Sequence, residues 1–562
     1  MANDLAQLVD RYWEQYLALN PTAASAAGDR RFDARLENSA SLSYLADSLA
    51  LERAALTGLA KFHPELLDAE ARLTYEVFKA EREAAVEGYL YPQELLPVEP
   101  FDSMPQLMAR LGAGEGAQPF DDAKGYEDWL GRINGYTAWT EQAIANLREG
   151  MRRGYLLPRV LVERLLPQLQ ELSRDRSESR FLRPLQRFPA GIDAASGERL
   201  SRALQQAVRT QLLPAYRELY EFLRTEYLPR SRTSIGLSAL PMGERWYDYR
   251  VRRVLGNTAS AARVQAQALA EVQRQQARLG ELAAQSGFGG NLPGFLTLIR
   301  QEPRFHFQSA ADMLDTFQRA APTLASAARG AVPTAPRAQP QILPQADAAL
   351  ADGEQVRYVA LASPQGAALL VDTGSWQRGL RSAVPAILLS EDDPGRHLQR
   401  SIQVSQAALP RFRRFGRVPA FERAWATYAG SLGEELGAFT EPDARVGALL
   451  TELRQALLAV VDIEVHAKGW SRQQAIDYLR ERLPIEEPAA ALAVDRCIAE
   501  PAAALAPALG AAAIRALRAR AQAALGAQFD AHAFHVQILA GGAMPLEVLE
   551  RQMEGWIKAQ PH

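Results

Sequence analysis

Residues 5–17, LAQLVDRYWEQYL, indicate the fold class because their apolar side chains recur every three or four positions. These side chains fall on one face of an α-helix and belong to Leu5, Leu8, Val9, Tyr12, Trp13, Tyr16 and Leu17. Asn20 and Pro21 follow, and a proline cannot continue a helix. The stretch therefore predicts an amphipathic helix that ends near residue 20.

The same spacing recurs along most of the chain, with proline and glycine between the repeats. It predicts helices over residues 45–62, 68–88, 125–150, 159–173, 196–228, 258–284, 309–329, 418–437, 443–468, 471–482, 511–525 and 545–559. Residues 330–354 are instead rich in proline and alanine. Two β-prone runs around Ser-Pro-Gln-Gly then predict a hairpin. We predict a mainly α fold, one large helical domain over residues 1–562, in which residues 330–375 form a Pro-rich excursion and a small β hairpin or sheet beside a cleft.

Composition excludes several classes of protein. Of the 562 residues, 48% are hydrophobic and 23% are charged, which is typical of a globular domain. A net charge of −3 gives no reason to expect nucleic acid or a membrane surface as a partner. The first residues lack the apolar core of a signal peptide, so we expect a cytoplasmic protein. The single cysteine, Cys497, lies in an apolar run and is expected to pack in the core.

The segment SEDDPGRHLQ, residues 390–399, raises the question of a metal site. Glu391 occupies the place of a general base, but no histidine precedes it as the zinc-helix pattern requires. His397 beside Glu391, Asp392 and Asp393 could hold a hard cation through oxygen ligands. The simpler interpretation is the acidic start of a helix with Ser390 as N-cap. Elsewhere, His532 and His535 have helical spacing without an acid in the same turn.

The whole chain resembles the bacterial domain-of-unknown-function 885 family, which is related to mainly helical zinc metallopeptidases. The resemblance rests on RYWEQYLALNPTAASAAGDRRFD, LREGMRRGYLLPRVLVERLLPQL, EYLPRSRTSIGLSALPMGERWYDYRVRR, DPGRHLQ, AWATYAGSL, VVDIEVHAKGWSRQQAIDYL and FDAHAFHVQILAGGAMPLEVLERQMEGWI. It implies a metallopeptidase-like fold and zinc as the family's cofactor.

The family's metal motif, His-Glu-x-x-Pro-Gly-His followed later by Glu-Gly-Trp-Ala-x-Tyr-x-Glu, is degenerate here. Ser390 and Arg396 stand at its two histidines, and Arg423 stands at the glutamate that completes the ligand set. Glu391 keeps the general-base position, while the trailing glutamate is Gly430. The resemblance thus implies that all three metal ligands are replaced.

Other polar positions of the family motifs are also changed. The departures are Gln265 for a histidine, Gln455 and Leu458 for two arginines, Glu464 for a glycine, and PAAALAPA at residues 501–508 for a polar pattern. Two aromatic residues are retained, Trp425 and Tyr428, and we expect them to line the cleft. The methyl groups of residues 502–506 could fill it.

The resemblance therefore implies a pseudoenzyme without zinc or another cofactor. We expect Glu391 to form ion pairs with Arg396, Arg423 or both, because their charge replaces that of the metal. Arg396, Arg423 and His466 would favour a peptide or small carboxylate ligand; a homo- or hetero-oligomer with a related chain is the other expected partner. An alternative is a repurposed hydrolase that uses Glu391, His397, Asp462 and His466 as an acid/base set. Metal ligands drawn from Glu434, Glu435 or His535 are a third alternative.

Overall fold

The computed structural model describes residues 2–176, 179–333, 338–345, 354–360 and 366–560. Its α-helices in chain order are α1 Ala2–Leu19, α2 Pro21–Ala26, α3 Leu42–Leu59, α4 Ala69–Gly88, α5 Met104–Gly112, α6 Ala123–Arg153, α7 Arg159–Leu172, α8 Ala194–Ala207, α9 Leu213–Phe222, α10 Gly243–Leu255, α11 Ala261–Ala283, α12 Leu292–Gln301, α13 Ala310–Ala327, α14 Val384–Glu391, α15 Arg396–Ser405, α16 Arg411–Phe415, α17 Pro419–Gly430, α18 Pro442–Lys468, α19 Arg472–Arg480, α20 Glu487–Ala499, α21 Ala511–Leu525, α22 Ala531–Ala540 and α23 Leu546–Ala559. The predicted mainly α fold is confirmed.

The ends of the helices follow local chemistry that the sequence displays. The side chains of Ser41, Asp68 and Asp122 accept hydrogen bonds from the first turns of α3, α4 and α6, as N-caps do. Gly154 and Gly469 end α6 and α18 with positive φ, a conformation that glycine adopts without steric cost. These signals explain why most predicted helix boundaries agree with the structure to within a few residues. Two predictions differ: the helix predicted over 418–437 ends at Gly430, and the one predicted over 196–228 consists of α8 and α9 with π-helical turns at residues 208–212 and 223–227.

The two strands of the predicted hairpin are present and belong to a three-stranded sheet. Most of its predicted Ser-Pro-Gln-Gly turn, and residues 334–337 and 346–353 of the predicted Pro-rich excursion, lie outside the described residues. Strands β2 (Val356–Ala360) and β3 (Ala367–Val371) pair antiparallel, and β1 (Gln341–Pro344) pairs parallel with the other side of β3. The central strand β3 is buried along its whole length, as expected for a strand covered on both faces. Its apolar side chains pack with those of α13 and α14, so the sheet is fixed to the helix that carries Glu391.

Helix α18 is the central element of the interior. Buried residues occur on all of its faces, as is typical of a helix surrounded by protein. It packs against α11, α14 and α20. None of the helices in the described ranges is long and apolar enough to cross a membrane.

Candidate functional site

A cavity of about 470 Å³ lies between the sheet, α14, α18 and the segment that leads into α20. Its apolar wall consists of Met313, Val356, Leu380, Ala383, Ile387, Leu450, Leu483, Pro484, Ile485, Ala489 and Leu492. Polar side chains share the lining, among them Glu354, Ser390, Glu391, Thr451, Arg454 and Gln455. Apolar walls with a few polar groups are typical of sites for small molecules. Three of the residues singled out from the sequence, Ser390, Glu391 and Gln455, therefore face an open cavity.

Ser390 and Glu391 end a helix, and the predicted N-cap role of Ser390 is wrong. The apolar run that precedes them forms α14, and the next helix, α15, begins only at Arg396. Pro394 and Gly395 separate the two helices, since proline disfavours a helical conformation in the residue before it. The acidic residues thus lie at or just after the carboxyl end of α14, where the helix dipole does not favour them.

The hydroxyl of Ser390 is engaged with its own helix. Its Oγ donates a hydrogen bond to the carbonyl oxygen of Ala386 at 2.8 Å. A Cβ placed on Gly430 would lie 2.2 Å from that Oγ and 3.0 Å from the Ala386 oxygen. The positions of the family motif's first histidine and trailing glutamate are therefore adjacent in space, and the small residues present at both allow the close approach.

Glu391 forms the expected ion pair with Arg396. The distance from Glu391 Oε2 to Arg396 Nη1 is 3.2 Å, and the two side chains are 15% and 21% exposed. This Oε2 has no hydrogen bond among the described residues, so the contact is an ion pair without hydrogen-bond alignment. Burial raises the pKa of the Glu391 carboxyl, and the charges of Arg396 and Arg423 oppose that rise.

Arg423 pairs with a different carboxylate. Its Nη2 lies 3.7 Å from Glu500 Oε2, and its Nη1 lies 3.5 Å from the carbonyl oxygen of Ala503. Of the two arginines proposed as partners of Glu391, only Arg396 makes a direct ion pair with it. The partner of Arg423 comes from the end of α20, far along the sequence.

Further arginine–carboxylate pairs surround this region. Arg417 binds the buried Glu422 through both guanidinium arms at 2.5–3.0 Å, and the pKa of Glu422 is lowered to about 2 although its burial opposes the shift. Arg110 binds Asp102 at 2.5 Å. The charge of Arg396 also lowers the pKa of Glu422. Glu391 therefore lies near a second, buried carboxylate, Glu422, that an arginine also balances.

Asp462 and His466 are buried in the core, where they hold neighbouring segments together by hydrogen bonds, and they are not part of the cavity wall. Asp462 Oδ1 accepts hydrogen bonds from the Tyr247 hydroxyl at 2.7 Å and from the Ala502 amide at 2.9 Å. His466 accepts from the Leu237 amide at Nδ1 and lies 2.8 Å through Nε2 from the Cys497 carbonyl oxygen. These contacts require a neutral ring with the proton on Nε2. Burial lowers the pKa of His466 to about 4.

The alternative acid/base set is not assembled around the cavity. His397 is buried, lies 3.4 Å through Nδ1 from the Tyr358 hydroxyl, and does not contribute to the cavity wall. Of the four predicted residues, only Glu391 lines the cavity. The expectation that they converge on an open pocket is corrected accordingly.

Replacing His466 with alanine should destabilise the fold. The change leaves the Leu237 amide and the Cys497 carbonyl without their buried partner and opens a void. We expect a loss of about 2–3 kcal/mol in the free energy of unfolding. Urea unfolding followed by circular dichroism measures it. An unchanged unfolding midpoint would contradict a structural role for His466.

Trp425 and Tyr428 lie in the core behind the site, so the prediction that they line the cleft is wrong for this cavity. They are 0% and 1% exposed, and neither contributes to the cavity wall. Trp425 Nε1–H donates to the carbonyl oxygens of Pro394 and Gly395 at 2.9 and 3.2 Å. Trp425 thereby fixes the turn from which Arg396 emerges.

His532 and His535 do not form a ligand pair. Glu434, Glu435 and His535, the third alternative for metal ligands, are not assembled either. His532 is exposed, whereas His535 is buried with both ring nitrogens engaged, one with the Ala331 carbonyl oxygen and one with the Tyr428 hydroxyl. Glu435 binds Arg518, and Glu434 lies 3.4 Å from Arg445. Within the described residues, no group of three or more His, Cys, Asp and Glu side chains is arranged to hold a metal ion.

The alanine-rich segment does not fill the cavity. None of residues 502–506 contributes to its wall. Ala502 is buried and adopts φ +69°, an unfavourable conformation for a residue with a Cβ, while its amide binds Asp462. Gln265 and Glu464, two further departures from the family pattern, are in direct contact. Gln265 Nε2 donates a hydrogen bond to the Glu464 carboxylate.

Several cavity residues were missed by the sequence reasoning. Glu354 and Arg454 both line the cavity, with Glu354 Oε1 4.0 Å from Arg454 Nη1. Residues 483–492 form one of its walls. Glu354 precedes the predicted hairpin, but nothing in its local pattern signals a site. Glu500, the partner of Arg423, carries no motif either.

Comparisons with known proteins agree with this fold. A crystal structure of a protein from Colwellia psychrerythraea, described as a "putative lipoprotein", has a TM-score of 0.89 at 21% identity over 99% of both chains. A second, from Shewanella oneidensis and described as a "putative lipoprotein of unknown function", has a TM-score of 0.72 at 17% identity and covers 98% of this chain and 99% of its own. No curated protein matches the chain. The model of the family described as "Bacterial protein of unknown function (DUF885)" matches residues 21–553, and the chain belongs to that family.

Proposed function

We propose that this protein is a pseudoenzyme that binds a peptide or small carboxylate ligand in the cavity and does not hydrolyse it. The observation that carries the proposal is the geometry at the carboxyl end of α14. There the Glu391 carboxylate faces an open cavity and is ion-paired with Arg396, while the neighbouring Ser390 hydroxyl is bonded to its own helix. The cavity is open, and charged residues of its wall lie in opposite-charge pairs, Arg300 with Glu486 and Arg454 with Glu354.

The three residues at the family's metal positions do not fit a zinc ion. Zinc requires nitrogen, sulfur or oxygen donors with free lone pairs, and catalytic sites use three such protein ligands. A guanidinium group is always protonated and has no lone pair to offer, which excludes Arg396 and Arg423 as ligands. The Ser390 Oγ is turned toward Ala386. We therefore derive no catalytic step through a metal.

Arg396 supplies the positive charge that a metal ion would otherwise provide beside Glu391. An ionised carboxylate in a partly buried position is unfavourable without a compensating charge. Arg396 supplies that charge permanently and at 3.2 Å. This arrangement stabilises Glu391 without a divalent cation and leaves the cavity free for another ligand.

The cavity suits a peptide-like molecule. Its apolar side chains can cover an aliphatic body, and Thr451, Gln455 and Gln355 add amide and hydroxyl groups that can bind a peptide backbone. Charges of both signs occur along the wall, with Arg300 and Glu486 at 4.0 Å and Arg454 and Glu354 at the same separation. A ligand that carries both polar and apolar groups matches this lining better than a purely apolar one.

A peptidase assay tests the proposal. The purified protein is incubated with a mixture of short fluorogenic peptides, once as isolated and once with added zinc. We expect no turnover above the rate of a Glu391→Gln variant under either condition. Hydrolysis that disappears in the Glu391→Gln variant would contradict the proposal and assign Glu391 a catalytic role.

A further inference from the structure

Three side chains of the cavity wall carry a buried oxygen that lacks a hydrogen bond. They belong to Gln355, Glu391 and Gln455, which all line the cavity. Within the described ranges, Gln355 Oε1, Glu391 Oε2 and Gln455 Oε1 have no hydrogen-bond partner. A buried polar group without a partner is unfavourable, and folded proteins keep few of them. Three such side chains in one wall indicate a place at which a bound ligand supplies hydrogen-bond partners.

Other polar groups of the same wall are already engaged. Ser390 Oγ and Thr451 Oγ1 each donate a hydrogen bond to a carbonyl oxygen one turn earlier in their own helix, at 2.8 and 2.9 Å. His306 Nε2 lies 3.0 Å from two backbone carbonyl oxygens. The chain satisfies these groups itself, in contrast to the glutamate and the two glutamines.

The elements that carry the three side chains pack against one another. Glu391 is the last residue of α14, Gln455 lies in the middle of α18, and Gln355 directly precedes β2. Helix α14 packs against both α18 and β2. The Gln355 carbonyl oxygen accepts a hydrogen bond from the Asp372 amide at 2.9 Å, which fixes the Gln355 backbone beside the end of β3. The packing of these elements therefore holds the three groups at one cavity.

Glu391 presents its carboxylate to the cavity, whereas its arginine partner is not part of the wall. Arg396 Nη1 lies 3.2 Å from Glu391 Oε2, and Arg396 does not line the cavity. The other oxygen, Oε1, accepts no hydrogen bond in the part of the chain that the structure describes, and it is not buried. An ammonium group carries three N–H donors and no acceptor, so it suits such an oxygen. The carboxylate can thus bind an ammonium group and Arg396 at the same time.

The two glutamines suit the adjoining part of a peptide. A side-chain amide offers an acceptor oxygen and two N–H donors, and a peptide group requires one acceptor and one donor. Other parts of the wall are apolar, with Leu450, Ile485 and Leu492 among their side chains, and can cover the aliphatic side chains of a ligand. The wall therefore combines the groups that the amino end of a short aliphatic peptide requires.

We propose that the cavity binds a short aliphatic peptide by its amino terminus, with the ammonium group on Glu391 and the first peptide group on Gln355 and Gln455. The inference rests on the proposed function, because it takes the ligand to be a peptide, and it adds the end by which the peptide is held. It assigns the charged recognition to an ammonium group and not to a carboxylate. Capture of the terminal amine is one of the recurrent modes of peptide recognition.

The test is isothermal titration calorimetry with the full chain and three probes: trileucine, N-acetyl-trileucine and trileucine with an amidated C-terminus. At a pH of about 7 the α-amino group of trileucine is mostly charged. Acetylation removes this charge and two of the three N–H donors, so we expect it to weaken binding at least tenfold. Amidation removes the charge of the carboxylate and should leave the affinity within a factor of three.

The variants distinguish this site from general electrostatic attraction. Glu391→Gln keeps the size of the side chain and removes its charge, so it should weaken binding of trileucine at least tenfold and leave that of N-acetyl-trileucine within a factor of two. Gln455→Leu removes the amide but keeps a side chain of similar size, and should weaken binding of both peptides several-fold. The matched control is Glu226→Gln, which removes the same charge from an exposed pair with Arg148 outside the cavity wall and should change neither affinity more than twofold.

Equal affinity for trileucine and N-acetyl-trileucine would overturn the inference, and so would a Glu391→Gln variant that binds trileucine as tightly as the unmodified protein. A loss of binding on amidation alone would overturn it as well, since recognition would then belong to the carboxylate. Absence of binding of all three probes at millimolar concentration has the same consequence. Thermal unfolding shows whether each variant is folded, and if Glu391→Gln is not, the comparison of the two peptides on the unmodified protein decides.

Failure of this inference is distinguishable from failure of the proposed function. Equal binding of the free and acetylated peptides without turnover would leave a peptide-binding protein that does not hydrolyse its ligand, held by a different group. Hydrolysis of trileucine that the Glu391→Gln variant abolishes would contradict the proposed function itself.

Discussion

Replacing Trp425 with alanine is expected to lower the free energy of unfolding by about 3–5 kcal/mol. The indole is fully buried, contacts Tyr428 and His535 through its ring, and donates its N–H to two carbonyl oxygens of the turn before α15. The alanine variant leaves a large void and two buried carbonyl groups without a donor. Urea unfolding monitored by circular dichroism measures the loss.

Trp425→Phe separates the packing from the hydrogen bonds. It retains most of the ring volume but removes the N–H, so we expect a smaller loss of about 1–2 kcal/mol. Because the turn positions Arg396, this variant should also disturb the ion pair between Arg396 and Glu391. A Trp425→Ala variant with unchanged stability would show that the indole is not part of a tightly packed core.

The contribution of Asp392 to the free energy of unfolding should fall as the pH rises from about 4 to about 7. Asp392 is buried, and burial together with the neighbouring Asp393 raises the pKa of its carboxyl to about 7. An unfolded chain has an aspartate pKa near 3.9. Between these values the folded state retains a proton that the unfolded state has lost, so each rise in pH favours unfolding.

Asp392→Asn removes this contribution. At a pH of about 7.5, the variant should be more stable than the unmodified protein by up to about 4 kcal/mol, and at a pH of about 4.5 the two should be close. Other groups contribute to the remaining slope: burial raises the pKa of Asp393 to about 6, of Asp462 and Glu99 to about 7 and of Glu52 to about 8, whereas it lowers the pKa of His466 to about 4, which acts in the opposite direction. Urea unfolding at both pH values measures the effect, with Asp47→Asn on the exposed face of α3 as the control. Equal slopes for Asp392→Asn and the unmodified protein would contradict the account.

Many of the helices were predictable because their signals are local, although α10, α12 and α20 were not predicted. Asn20-Pro21 ends α1, Gly154 ends α6, and Ser41 caps α3, and each acts within a few residues of itself. At Ser390 the same kind of local signal led to a wrong prediction, that of a helix N-cap. An acidic triplet after a serine is typical of a helix start, but the apolar run before it forms α14, and Pro394-Gly395 separates the triplet from α15.

Of the contacts at the candidate site, the sequence predicted only the ion pair between Glu391 and Arg396. The position of Glu391 and its ion pair with Arg396 follow from residues that are close in sequence. The partner of Arg423 does not, because Glu500 is brought to it by the packing of distant helices. The partners of His466 are backbone groups of Leu237 and Cys497, and backbone groups carry no sequence signature. Packing of distant segments likewise produces the wall formed by residues 483–492.

The central claim is that charge from arginine, and not from a metal ion, balances Glu391. The most direct measurement is the metal content of the purified protein by inductively coupled plasma mass spectrometry, after mild dialysis without a chelator. The account predicts less than about a tenth of an equivalent of any transition metal, since guanidinium groups, which offer no lone pair, stand at two of the three metal positions. One full equivalent of zinc or another transition metal per chain would contradict it.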